Sequence, residues 1–253
     1  KDVKLYWKVV ATDPSGSKTS SVMNFTVPMT PEWSYETGDD VRTVAISADG
    51  EYYVAGSKDN KVYLFDKDSS TPLWSYTAQG DVKVVSISAD GEYIVAGIYS
   101  ASSNSDKVYL FDKDSSTPLW SYTTTGDEVT SVAISADGEY IVAGSTDVDN
   151  ELDGEIFLFN KDSSTPLWSK DLGTQDVYSI DISADGEYIV VGTNGDKVYL
   201  YDKDSNSYLW GYETNGDVNS VSISADGEYI VAGSQDNKVY LFDKDSSTPL
   251  WSK

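Results

Sequence analysis

The chain has 253 residues, with 42 Asp and Glu against 18 Lys and Arg, a formal net charge of −24, and neither His nor Cys. Such acidity repels phosphate backbones, which argues against nucleic acid and leaves cations and basic protein surfaces as partners. Without imidazole or thiol there is no His base, Cys nucleophile, disulfide, or zinc or haem ligation by the usual side chains, so chemistry falls to carboxylates, hydroxyls, Tyr, Lys and the single Arg42.

The first elements in chain order are two strands, Leu5–Thr12 and Ser21–Val27, joined by a turn at Asp13-Pro14-Ser15-Gly16. Isolated hairpins are marginal in water, so this piece needs a packing partner: the rest of the chain, a neighbouring molecule, or the remainder of a larger protein. YWKVVATDPSGS followed by NFTV resembles the last two strands of a fibronectin type III domain. That resemblance implies an extracellular, multidomain parent. Asn24-Phe25-Thr26 is a glycosylation sequon, a triplet that also arises often by chance. The chain opens at Lys1 without a signal sequence and reads as a processed or excised segment. No apolar run approaches the length of a membrane span. Residues 1–28 are thus expected to be a hairpin fragment, 29–32 a linker, and 33–253 the main domain.

From there the chain repeats. ISADGEY recurs at Ile46, Ile87, Ile134, Ile182 and Ile223, and tryptophans recur at Trp33, Trp74, Trp120, Trp168, Trp210 and Trp251. Their spacings are 41, 46, 48, 42 and 41 residues, a 41-residue unit with insertions. One unit contains four short runs, Val41–Ser47, Tyr52–Ser57, Lys61–Lys67 and Pro72–Tyr76, rich in Val, Ile, Tyr and Phe and bounded by Asp, Gly, Asn or Ser. That is a strand pattern with turn punctuation. The runs are apolar on both faces, as Val62, Tyr63, Leu64 and Phe65 show, which fits a sheet sandwiched between sheets. Repeats that bury both faces by stacking predict an all-β β-propeller of five four-stranded blades, closed into a circle, behind an N-terminal β-hairpin. Five is the favoured count. An incomplete sixth blade, built from the N-terminal strands and a surplus fourth-type strand at Trp33–Thr37, is the alternative.

The SADGEYIVAGS…KVYLFD stretch resembles WD-repeat proteins, and Phe65-Asp66 with Leu73-Trp74 is similar to the tryptophan-docking motif of quinoprotein-type propellers. Both resemblances imply a propeller over 33–253. The Gly-His pair of the first family and the adjacent cysteines of the second are missing, so neither a quinone cofactor nor any other organic cofactor is expected.

Strand alternation puts the turns after the first and third strands of each blade on one edge and the other loops on the opposite edge. The first edge is nearly uniform, and the insertions Ile98–Asp106 and Thr146–Gly154 fall on the second. Insertions confined to one edge mark a binding surface, or drift in tolerant loops. Asp147, Asp149, Glu151, Asp153 and Glu155 alternate ahead of and around a Gly turn, a pattern close to a calcium loop; the other reading is a solvated acidic loop. The residue just before each first strand is acidic (Asp40, Asp81, Glu128, Asp176 and Asp217), which predicts a carboxylate ring at the mouth of a central channel or, alternatively, five local turn formers. Close by, one repeat position differs in every blade, as Arg42, Lys83, Thr130, Tyr178 and Asn219, with Tyr99 in the first insertion. Asp181 also breaks a small-residue position held by Ala45, Ser86, Ala133 and Ser222.

With no catalytic pair in view, the expectation is a non-catalytic extracellular or cell-surface binding and scaffolding module. Its partner would be a protein or a second copy. A glycan or small-ligand binder is the alternative, and a lyase, hydrolase or quinoprotein the weakest reading.

Overall fold

The computed structural model describes residues 3–7, 10–13, 16–19, 23–27, 33–100, 106–124, 127–147 and 154–253, with side chains from Trp33 onward except those of Asp127 and Asp147. Lys1–Tyr35 and Glu36–Lys253 form two compact units. In the first, β1 (Val3–Trp7) pairs with β4 (Met23–Val27), and β2 (Val10–Asp13) pairs with β3 (Gly16–Thr19). The hairpin expected from the sequence is present, but its return strand begins at Gly16 rather than Ser21. Asp13 pairs directly with Gly16, so the ladder resumes as soon as the turn is made. Trp33–Thr37, expected as a surplus strand, lies outside the regular strands.

The second unit is a five-bladed, all-antiparallel β-propeller. Blade one comprises β5 (Val41–Ile46), β6 (Tyr52–Ser57), β7 (Lys61–Asp66) and β8 (Trp74–Thr77), paired in that order. Blade two comprises β9 (Asp81–Ile87), β10 (Tyr93–Tyr99), β11 (Asp106–Asp112) and β12 (Trp120–Thr124). Blade three comprises β13 (Asp127–Ile134), β14 (Tyr140–Asp147), β15 (Glu155–Asn160) and β16 (Trp168–Asp171). Blade four comprises β17 (Val177–Ile182), β18 (Tyr188–Thr193), β19 (Lys197–Asp202) and β20 (Tyr208–Glu213). Blade five comprises β21 (Val218–Ile223), β22 (Tyr229–Ser234), β23 (Lys238–Asp243) and β24 (Trp251–Ser252). The outer strand starts at the tryptophan in four blades because Pro two residues earlier has no N–H to give a ladder. In blade four Tyr208 replaces that Pro, and β20 lengthens to six residues.

Blades dock through a recurring set of contacts. Each indole N–H reaches a backbone carbonyl of the next blade at 2.7 Å: Trp74 to Lys113, Trp120 to Lys161, Trp168 to Lys203 and Trp210 to Lys244. Backbone bridges run from Ala48 N to Ala89 O, then from Ala89 to Ala136, Ala136 to Ala184 and Ala184 to Ala225, at 2.9–3.0 Å. Gly97 and Gly144 leave room for Val129 and Val177 of the following blade, where a β-carbon would collide. Leu64, Leu110, Leu158 and Leu200 are fully buried, each worth about 2 kcal/mol of transfer free energy.

The circle expected from the sequence is not closed. The fifth junction, from blade five back to blade one, would require Ala225 to bridge to Ala48 and Gly233 to seat Val41, and neither contact forms. Val44 on β5 is 72% exposed and Val231 on β22 is 38% exposed, whereas their counterparts inside the array are buried. The five blades are a stacked series whose two end faces are uncovered at the inner strands, while Tyr63 and Phe65 further out on blade one are buried.

Candidate functional site

The turn edge is consumed by its own structure. In blade one the Ser47 hydroxyl donates to Asp49 at 2.6 Å, Asp49 accepts from Glu51 N, and Ser47 Oγ accepts from Tyr52 N. The same triad recurs in every blade. Gly50 holds φ 74° to make this turn, a conformation that costs glycine little. The serine hydroxyl holds the carboxyls of Asp49, Asp185 and Asp226 below the usual range. In the second turn of blade one, Asp66 caps Asp68 N at 2.8 Å, and Lys67 Nζ is paired with Glu51 and Asp68.

The opposite edge differs in kind. In all five blades the first strand carries a β-bulge against the second, and the extra residue is the variable one: Arg42, Lys83, Thr130, Tyr178 or Asn219. A bulge leaves one residue without a cross-strand partner and re-aims its side chain. Alignment of the repeats exposes the variability, but the bulge that presents it depends on strand register and was invisible in the sequence.

Each bulge residue sits in a different environment. Arg42 is exposed. Lys83 Nζ pairs with Glu128 of the next blade at 2.8 Å and lies 4.7 Å from the Tyr99 ring centroid. The Thr130 hydroxyl donates to the Val177 carbonyl across the junction. Tyr178 is exposed, and burial followed by the charges of Asp217 and Asp176 raises its phenol. Asn219 Oδ1 accepts from Gln235 Nε2 at 3.2 Å.

The five acidic positions form an open row on this edge rather than a ring, since the circle is open. Asp40 pairs with Lys58 at 3.2 Å, Glu128 with Lys83, and Asp176 accepts from Asn194 Nδ2 at 2.7 Å. Asp81 begins β9 opposite Tyr99, and the Asp217 carbonyl accepts from Gln235 N. Asp181 is a staple between blades four and five: Oδ2 accepts from the Ser222 hydroxyl at 2.8 Å and from Ile223 N at 3.0 Å.

The first insertion adds a residue the sequence did not single out. Asp106 is 3% exposed and accepts from Ser100 N. Burial, then the nearby Glu128 charge, pushes its carboxyl up to about 6 against the opposing pull of Lys83. Of the calcium-loop residues, Asp147 ends β14 and Glu155 opens β15, where burial and then Asp171 raise the Glu155 carboxyl. Asp149, Glu151 and Asp153 lie outside the described residues. Among the described residues no group of three or more acidic side chains is gathered as a metal site, and no helix is long and apolar enough to cross a membrane.

Tryptophan-docked blades with uniform turns and a variable bulge edge define a propeller of the PQQ-like repeat class. The chain belongs to the family described as outer membrane protein assembly factor BamB, whose model matches residues 7–176 and 152–253. That match includes the tryptophan-docking repeat by which the sequence resembles quinoprotein-type propellers. No curated protein matches the chain.

Proposed function

We propose that this chain is a non-catalytic binding and scaffolding propeller acting outside the cytoplasm, in a cell-surface or secreted multidomain protein, and that it grips a protein partner along the bulge edge. One observation carries the reading: a repeat position that differs in all five blades is the extra residue of a bulge in all five, and its side chain is exposed at Arg42, Tyr178 and Asn219. The opposite edge spends its Ser and Asp side chains on internal turns, which leaves it little to offer a ligand. The family's description, an assembly factor for outer membrane proteins, supports a protein partner. A glycan is the second reading, favoured by Tyr178 and Tyr99 on the same edge.

The test compares the wild-type chain with an Arg42→Ala, Tyr178→Ala, Asn219→Ala triple variant. Retention of partners from a surface extract is expected to fall by at least about tenfold with an unchanged melting temperature, as loss of an interface anchor does. Equal retention by both proteins overturns the reading. Selective loss of signal on a glycan array moves it to the glycan.

A further inference from the structure

We propose that the chain associates head to tail with a second copy of itself, the outer face of blade five docking on β5 of the next molecule in the register of the internal junctions. The internal junctions specify, residue by residue, what one blade presents to the next, and the inner-strand halves of that contact stand uncovered at the two ends. On blade five, Val231 and Val239 are exposed, while their counterparts Val54, Val62, Val95 and Val108 are buried. On blade one, Val41, Val44 and Ile46 are exposed, while Val82, Val85 and Ile87 are buried.

The fit is specific as well as apolar. At four junctions a Tyr ring covers the turn glycine of the following blade, as Tyr52 covers Gly91 and Tyr188 covers Gly227. Tyr229 on blade five and Gly50 on blade one are the two halves of a fifth such pair; Tyr229 is exposed and nothing stands within 4 Å of a β-carbon built on Gly50. Gly233 likewise has an open seat where Gly56, Gly97, Gly144 and Gly192 each receive a valine, and the matching valine is Val41. The Ala225 N–H and the Ala48 carbonyl complete the set as the two halves of the backbone bridge.

The contact therefore continues an interface the chain already makes four times. It is confined to the inner strands. Tyr63 and Phe65 on blade one are already buried, so Trp251 is assigned no seat across it. A heterologous contact of this kind closes into a ring or extends, according to the rotation per junction. The net charge of −24 opposes association, so the contact strengthens with salt, and at about 1 M the Debye length is only about 3 Å.

Sedimentation velocity on the full 253-residue chain, over a range of concentration and salt, tests this. The wild type is expected to form concentration-dependent oligomers that grow with salt. Val44→Asp spoils the head and Gly233→Leu fills the tail seat. Both sites are open in the single molecule, so each variant keeps its melting temperature and stays monomeric. An equimolar mixture of the two is expected to stop at a dimer, because only one intact head and one intact tail remain. A wild type that stays monomeric at all concentrations overturns the proposal, as does assembly of either variant alone to the wild-type extent. A monomer that Val44→Asp destabilises has closed on itself, which also overturns it.

Discussion

Blades three and five have nearly the same sequence and quite different surroundings. Val142 in β14 is fully buried, whereas its counterpart Val231 in β22 is not. A β-carbon on Gly144 would strike Val177, whereas one on Gly233 meets nothing. Trp168 donates to Lys203 O and lies 5.9 Å from the Tyr201 ring, whereas Trp251 is 45% exposed. The residues are alike, and the neighbour decides what each is worth. In a stacked array, stability resides in the junctions as much as in the blades.

The largest expected break in this comparison is Trp168→Ala against Trp251→Ala. The first removes an indole packed in a junction and should cost about 3 kcal/mol, whereas the second should cost about 1 kcal/mol or less. Urea denaturation of the two variants checks this, and equal shifts would mean that the end face is covered.

A second test concerns charge at the edge of blade two. The folded chain holds the Asp106 proton up to about pH 6, whereas an aspartate ordinarily releases it near 3.8. Folded-state affinity for the proton is the higher, so this group's contribution to stability is greatest below about pH 4 and falls as pH rises to about 6. Asp106→Asn removes that slope. Relative to wild type, the variant should gain about 2 kcal/mol between about pH 4 and 7, since each pH step separating the folded and unfolded midpoints is worth about 1.4 kcal/mol. Carboxyls held low, such as Asp49 and Asp185, act in the opposite sense in both proteins and cancel in the difference. Parallel melting curves across that range would refute the buried-carboxylate account.

Gly144→Ala against Gly233→Ala sharpens the comparison further. Overpacking at the internal seat should lower stability by about 1–2 kcal/mol. At the end seat the same change should be neutral or stabilise by about 0.5 kcal/mol, since Ala suits a strand better than Gly.

The smallest effect is expected at Tyr201, whose buried hydroxyl has no hydrogen-bond partner among the described residues. Phe stands at this position in four blades, as Phe65, Phe111, Phe159 and Phe242. Tyr201→Phe should therefore stabilise the chain by about 1 kcal/mol, read as a rise in melting temperature.

Much of the fold was legible because the repeat is strict. Four apolar runs separated by Asp-Gly and Asp-Lys-Asp turns, copied five times with only Asn160 departing from the second turn, leave few arrangements other than stacked blades. The hairpin turn at Asp13–Gly16 was legible for the same local reason. The site was legible only in part. Variation at Arg42, Lys83, Thr130, Tyr178 and Asn219 could be read by aligning repeats, but the bulge that presents it could not. The Asp106 and Glu128 charges come together across a junction, at a sequence separation that no local pattern encodes. Asp181, which in the sequence only breaks a small-residue position, proved to be a cross-blade staple.

By itself the sequence determined the strands, their turns and their stacking, because alternation, turn chemistry and repetition act over a few residues at a time. Only the tertiary structure decided whether the circle closes, since closure depends on the angle summed over successive blades. No single repeat contains that sum, so identical inner-strand faces end up covered inside the array and bare at its ends.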